Sequence, residues 1–323
     1  MIQVKDNNIL WVNLTTGKIT KEEVPALFRK KFIGGNGINL KLLFDSGAMF
    51  ESPFSEKNPF IVGVGPAVGT GLLAGNKCTL TSKSTITGLY GDSSSGGDFA
   101  LNMKAVHIDH IYVDGKSEKP CILYIDKNGN PEIRDASEAW GKNAVEVVDY
   151  FESLYGNKIE VLSIGRAGES LVRFASVTVS RWHAAGRTGM GCVMGSKKIK
   201  AIVIETKRPI EINYYDKNKI RKLNKRWFAI AKKSFMTKNE NVEGSLFLIK
   251  KYNDLNCLPV RNCQKGYEEK AKAIYSAPFN LKYVTKKIAC YSCIAKCGRE
   301  FEIKEGPFKG EKEKILTMEQ LYL

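Results

Sequence analysis

Cys290-Tyr-Ser-Cys293-Ile-Ala-Lys-Cys297 is the stretch of this sequence that carries the most chemistry. A C-x2-C-x3-C spacing can bring three thiolates to one side of a short loop, where they share an iron–sulfur cluster or a zinc ion. Iron–sulfur sites of this kind usually take four protein ligands, and the run supplies three. Cys257 and Cys263, upstream in the same region, are candidates for the fourth. Zinc and a trio of buried free thiols are the alternatives; iron–sulfur is the preferred reading. Eight cysteines in 323 residues are too sparse for a disulfide scaffold.

Two further stretches have the chemistry of anion seats. Gly91-Asp-Ser-Ser-Ser-Gly96-Gly97 strings small residues together, which leaves amides and hydroxyls open to a phosphate or a polar ring. An ordinary tight loop is its bland alternative. His183-Ala-Ala-Gly186-Arg187-Thr188-Gly189-Met-Gly191-Cys-Val-Met-Gly195-Ser196-Lys197 interleaves glycine and alanine with cations, and Arg187 can grip phosphate as a bidentate fork. Arg166, Arg173 and Arg181 lie nearby in sequence and favour anion binding over the alternative, close packing of glycines between strands. Gly63-Val-Gly65-Pro-Ala-Val-Gly69-Thr-Gly71 has the wrong spacing for a nucleotide loop, and Pro66 removes an amide where a phosphate would need one. His107 and His110 flank Asp109 without a third ligand at metal spacing and read as surface or strand-edge residues. No nucleophile elbow or carboxylate pair stands out, so no catalytic side chain is assigned.

The elements that must position these residues are mostly strands in the first two hundred positions. Alternation predicts a hairpin from 9–14 through Gly17 to 18–20, and further strands at 58–64, 78–82, 108–113, 121–125 and 200–204. Helical spacing marks 23–28, 38–44 and 144–154, the first with Pro25 inside it. After Pro209 the texture changes: 220–235 and 245–253 set apolar residues three and four apart among lysines, the pattern of amphipathic helices. A domain boundary is therefore placed near residue 208, and 319–323 reads as the opening turn of another helix. No internal repeat is evident.

Charge and hydropathy exclude other classes. The net charge of +16 is uneven, with 25 Lys+Arg against 21 Asp+Glu in residues 1–207 and 25 against 13 in residues 208–323. The lysines of the second part are dispersed along helices without a recognition motif, so they read as solvated faces and no nucleic-acid partner is expected. The longest uncharged run, 58–76, is broken by five glycines and two prolines and cannot span a membrane. The start of the chain has no apolar signal core, and a cytoplasmic location is expected.

Read together, these motifs resemble the tungsten- or molybdenum-pterin aldehyde:ferredoxin oxidoreductase family. The resemblance runs through Phe32-Ile-Gly-Gly-Asn-Gly37, Asn58-Pro-Phe-Ile-Val-Gly-Val-Gly-Pro66, and Thr81-Ser-Lys-Ser-Thr-Ile-Thr-Gly88 with the Gly91–Gly97 string. It continues through Ile164-Gly-Arg-Ala-Gly-Glu-Ser-Leu-Val-Arg-Phe-Ala175, Ala184-Ala-Gly-Arg-Thr-Gly-Met-Gly191 and Val193-Met-Gly-Ser-Lys197. Leu258-Pro-Val-Arg-Asn262 and the cysteine trio come next, in the family's order.

The resemblance implies an α+β fold: a β-rich N-terminal domain, 1–207, forming the base for a bis-pterin metal cofactor, and a partial helical domain, 208–323. It implies oxidation of an aldehyde to a carboxylate, with electrons leaving through a [4Fe–4S] cluster to ferredoxin. By position Lys77, Ser94, Gly96, His183, Ala184, Gly186 and Arg187 would line the pterin, and Cys290, Cys293 and Cys297 would hold the cluster. Family members usually carry Arg where this chain has Lys77 and His183, and Asn where it has Ser94, which weakens the grip on phosphate. Relatives also continue further, supplying a fourth cluster cysteine and the substrate pocket. The chain is therefore expected to need a complementary C-terminal half or subunit, with a homodimer as one arrangement; the alternative is a non-catalytic electron-transfer or pterin-binding module.

Overall fold

A computed structural model describes residues 8–206 and 216–316, with side chains to residue 312. The fold is α+β, and the chain divides into two compact units, Met1–Lys217 and Asn218–Leu323. The expected helix opening at 319–323 lies outside the described residues.

The first unit begins with β1 (Asn8–Asn13), β2 (Ile19–Glu23), α1 (Ala26–Phe32), α2 (Asn36–Asp45), β3 (Phe60–Val64), β4 (Cys78–Lys83) and β5 (Tyr90–Ser95). A fully buried helix, α3 (Phe99–Ala105), leads into β6 (Ile108–Asp114). Then come β7 (Cys121–Ile125), β8 (Pro131–Asp135), α4 (Ala144–Tyr155), β9 (Ile159–Ser163), α5 (Arg166–Glu169), β10 (Val177–Val179) and β11 (His183–Ala185). A second buried helix, α6 (Met190–Ser196), leads into β12 (Ile199–Glu205). Two six-stranded sheets result, ordered β2-β1-β6-β3-β4-β5 and β11-β10-β9-β12-β7-β8.

These two sheets have the same topology. Each opens with a hairpin, β1–β2 or β7–β8. The first strand of that hairpin pairs in parallel with the last strand of its half, β6 or β12, and all other pairs are antiparallel. Each last strand carries an irregularity near its start, at Asp109 and at Lys200. Both irregular residues are buried ions with a partner: Asp109 with Lys104 at 2.6 Å, and Lys200 with Glu169. A non-glycine residue at positive φ, His107 or Lys198, precedes each. The fold is thus an internal duplication that no residue-level repeat announces.

Burial shows how the layers pack. One core joins the inner faces of both sheets through Leu10, Val62, Leu80 and Ile111 on one side and Leu123, Leu162, Ile202 and Ile204 on the other, with Phe99 and Met103 of α3 and Val193 and Met194 of α6 in between. Helices α1 and α2 cover the outer face of the first sheet around Ile38, Leu42 and Leu43. Helix α4 covers the outer face of the second through Val147, Val148 and Phe151. A capping box starts α4: Asn143 Oδ1 accepts from Val145 N and Glu146 N, and Glu146 accepts from Asn143 N.

Most predicted elements form, with informative shifts. Helix α1 starts after Pro25 instead of running through it, because Pro serves only at a helix start. The Gly91–Ser95 part of the small-residue string is strand rather than loop. The Met190–Ser196 part of the glycine-rich segment is helix α6, whose glycines allow close packing: a Cβ on Gly195 would stand 2.0 Å from Gly168 O. His110 is not at a surface or strand edge. It is 1% exposed on the central strand β6, and its Nδ1 lies 2.8 Å from Asn39 Oδ1, which assigns the proton to Nδ1.

The second unit holds α7 (Lys217–Lys233), α8 (Phe235–Glu243), α9 (Phe247–Asp254) and α10 (Ser276–Tyr283), then an antiparallel sheet, β13 (Val284–Ile288), β14 (Gly298–Glu302) and β15 (Lys312–Leu316). Its core is Leu246, Phe247, Leu248, Ile249, Leu258, Val260 and Ala271. The sheet is an addition to the helical texture read from the sequence.

Candidate functional site

One edge strand of the first sheet is β5, and the equivalent edge strand of the second is β11. The duplication brings these equivalent edges together. Along β5 the serines alternate: Ser93 and Ser95 are buried, Ser94 is exposed, and the Ser94 hydroxyl lies 2.9 Å from that of Thr79 on β4. The Arg187 amide donates to Ser93 Oγ at 3.1 Å, and Thr188 Oγ1 donates to Asp92 O at 3.0 Å. Ser84 Oγ in turn donates to Thr188 O at 2.9 Å. Hydroxyls of one half therefore hold the backbone of the other.

Beyond β5 the chain turns through Gly97 at φ +95°, where a Cβ would stand 2.7 Å from Ser180 Oγ and 3.2 Å from His183 Nδ1. Only glycine allows that approach. Ser180 Oγ accepts from the amides of Asp98 and Phe99 at 3.2 and 3.1 Å and so caps α3 from the other half. Asn76 Nδ2 donates to Gly97 O at 2.7 Å, which ties the residue before Lys77 to the same corner.

The seven predicted pterin residues are thereby brought to one seam. Lys77, Ser94, Ala184, Gly186 and Arg187 are exposed, and Gly96 and His183 are half-buried. Ser94 and Gly96 precede the buried helix α3; Ala184 and Gly186 precede its equivalent, α6. A Cβ on Gly186 would meet nothing within 4 Å, so the surface there is low and open. Small, exposed residues flanked by Arg187 and Lys77 suit the phosphates of a pterin cofactor. Burial pushes the His183 imidazole down to about 4, so near neutral pH it offers a hydrogen bond rather than a charge.

Several cations singled out with these residues are used elsewhere. Lys197 is 1% exposed and donates to Glu56 O and Gly115 O, both at 3.0 Å; burial pushes its ammonium down to about 8. Arg181 pairs with Asp149, and Arg166 lies 3.8 Å from Glu146. A cleft of about 270 Å³ lined by Trp11, Lys18, Glu22, Tyr112 and Asp114 lies at the β1–β2 end of the first sheet and includes none of the predicted residues.

In the second unit Cys290, Cys293 and Cys297 are all half-buried. Cys293 N donates to Cys290 O at 3.1 Å, and Ser292 and Lys296 take positive φ, so the run coils tightly. Burial first, then Cys290, Glu240 and Cys293, push the Cys297 thiol up to about 11. Among the described residues no three His, Cys, Asp or Glu side chains already form a metal-holding group. Cys257 and Cys263 are exposed.

The family model described as "Aldehyde ferredoxin oxidoreductase, N-terminal domain" matches residues 9–206, and that of its domains 2 and 3 matches residues 222–322. The chain belongs to the aldehyde ferredoxin oxidoreductase family. A tungsten-containing aldehyde ferredoxin oxidoreductase of Pyrococcus furiosus is 35% identical over 315 residues, covering 94% of this chain and 49% of that protein. The enzyme of the same name from Thermococcus kodakarensis is 35% identical over 311 residues, covering 92% and 50%. The WOR-like subunit of an aliphatic sulfonate oxidoreductase of P. furiosus is 30% identical, covering 94% and 50%. Among solved structures, the active-site complex BamBC of benzoyl coenzyme A reductase with 1,5-dienoyl-CoA superposes with a TM-score of 0.83 at 27% identity, over 99% of this chain and 50% of that one. The chain spans about half the length of the curated relatives it matches. The sequence holds the β-rich first domain of this oxidoreductase family and part of domains 2 and 3. Among the described residues no helix is long and apolar enough to cross a membrane.

Proposed function

We propose that this chain provides the cofactor seat and three cluster thiolates of a tungsten- or molybdenum-pterin oxidoreductase that converts aldehydes to carboxylates and passes the electrons to ferredoxin. The observation that carries the reading is the seam between two topologically equivalent edge strands, with Ser94 on β5, His183 and Ala184 on β11, Gly96, Gly186 and Arg187 just after them, and Lys77 just before β4. A two-fold related seat suits a ligand made of two like halves, as a bis-pterin is. When bound, the metal–dithiolene centre supplies the two-electron oxidation and the cluster the one-electron relay. Arg187 holds phosphate oxygens with its fork and Lys77 adds a point charge. Ser94 offers a hydroxyl, and the backbone at Gly96, Ala184 and Gly186 lets the ligand approach closely. His183 is a neutral hydrogen-bonding partner. Cys290, Cys293 and Cys297 would hold the cluster as thiolates.

Turnover draws on the remaining half of the family length, as a covalent continuation or a separate subunit, for the fourth cluster ligand and the substrate walls. The relatives' names span aldehyde, sulfonate and benzoyl-CoA chemistry, so the shared half does not by itself select the substrate. The test is anaerobic production with tungstate or molybdate, together with the remaining half of the fold. Metal and pterin content and aldehyde-dependent viologen reduction are measured. Bound pterin with tungsten or molybdenum, and reduction that needs aldehyde, are expected. A folded assembly without either metal defeats the reading; bound pterin and cluster without turnover on any aldehyde favours a non-catalytic electron-transfer module.

A further inference from the structure

Arg299 is 0% exposed and the largest fully buried side chain among the described residues. It stands two positions after Cys297, at the start of β14, and among the described residues no carboxylate pairs with it. Its guanidinium is instead surrounded by backbone carbonyls. Nη1 donates to Lys296 O at 2.6 Å and to Gly298 O at 2.9 Å, the residues on either side of Cys297. Nη2 donates to Glu240 O at 3.1 Å and Asn241 O at 3.4 Å, in the last turn of α8. Nε is buried without a hydrogen-bond partner among the described residues. Gly244, at φ +72°, ends α8 against this group: a Cβ there would stand 3.2 Å from Arg299 Cζ and 3.2 Å from Cys297 O. Asn241 makes a second tie, its Nδ2 donating to Ile294 O at 2.9 Å, inside the cysteine run.

A buried guanidinium satisfied only by carbonyl dipoles is costly unless negative charge arrives beside it. The carbonyl end of a helix attracts a cation, which explains part of its placement. The remainder is explained by the neighbouring thiols, each of which becomes a thiolate on ligating iron. We infer that Arg299 is a positioning residue for the iron–sulfur cluster: it fixes the backbone on both sides of Cys297 against α8 and is the buried counter-charge to the ligating thiolates. This role rests on the proposed assignment of Cys290, Cys293 and Cys297 as cluster ligands.

The test uses the full 323-residue chain, reconstituted anaerobically with ferrous iron and sulfide in the presence of dithiothreitol, whose thiol can fill a fourth position. Iron and sulfide content, the rate of cluster loss to a chelator and the midpoint potential are measured for the parent, Arg299→Lys, Arg299→Gln and Asn241→Ala, with circular dichroism as the check on folding. Arg299→Gln is expected to lose its cluster roughly tenfold faster, as is usual for groups that orient metal ligands, and to shift the potential to more negative values. Arg299→Lys keeps the charge but not the fork; it is expected to lose the cluster faster while holding the parent potential. Asn241→Ala, with charge unchanged, is expected to behave like Arg299→Lys. Should Arg299→Gln fail to fold, the Lys and Asn variants still decide the backbone role: unchanged rates of loss in both overturn it. A folded Arg299→Gln chain with unchanged loss and potential overturns the inference while leaving the cluster in place. A parent chain that takes up no iron or sulfide overturns the ligand assignment itself.

Discussion

His110 and His183 differ in what surrounds them but respond to acid alike. Burial pushes His110 down to about 3 and His183 to about 4, below the ordinary imidazole value. As pH falls from about 6.5, the unfolded chain takes up these protons before the folded one does, so the folded state loses stability between that pH and about 3. The expected loss for His110 is on the order of 3 kcal/mol by pH 4. Urea unfolding at a series of pH values checks it: His110→Asn should show a flatter acid limb than the parent. In the proposed cofactor seat the same shift would leave the phosphate grip near pH 7 to Arg187 and Lys77. Arg187→Ala should reduce retained pterin and metal by roughly tenfold, the worth of a charge-assisted hydrogen bond. His183→Asn should change them by less than about twofold at that pH. Equal losses in both variants would mean that His183 carries charge in the loaded state.

Helix α6 depends on missing side chains. Gly195 faces Gly168 O of α5, and Gly191 would place a Cβ 2.3 Å from Ser176 O. Backbone cannot yield as a side-chain end can. Gly195→Ala should therefore destabilise the first unit by about 3 kcal/mol, near the upper end for overpacking, and disturb the seam that α6 supports. Chemical unfolding together with cofactor content would register both effects. Asn143→Ala should cost only about 1 kcal/mol, the usual worth of a helix cap, because α4 lies on the outer face of the second sheet and Val147, Val148 and Phe151 still hold it there. A larger effect of the cap than of the glycine would reverse this ranking of the two elements.

The two units carry separate cores, Leu10 to Ile204 in the first and Leu246 to Ala271 in the second. Two calorimetric transitions are expected in consequence. Iron and sulfide should raise only the one belonging to the unit with the cysteine run, since a ligand stabilises the part it binds. A single transition, or an equal shift of both, would show one cooperative body. The duplication also acts at this scale. Each half has an inner helix and an edge strand at equivalent places, so closing the two sheets over one core brings like edges together without a connecting loop between them.

Much of the fold was legible in the residue order. Alternation at 9–14, 78–82 and 121–125, and three-and-four spacing at 38–44 and 144–154, are local periodicities that each require only a few neighbours. The seven proposed seat residues and three proposed cluster cysteines come from the family resemblance carried by the ordered motifs, not from periodicity. What tertiary structure alone decided lies between segments far apart in the chain. Helices α3 and α6 escaped detection because an element buried on every side has no polar face to set a period. The repeat was hidden because two halves can share a topology without sharing residues. Lys197 read as a cation of an anion-binding segment and His110 as a surface or strand-edge group because residue type states a cost of burial but not the partner that offsets it. Arg299 is the clearest case: its neighbours across α8 are nearly sixty positions away, and only folding brings their carbonyls to one guanidinium.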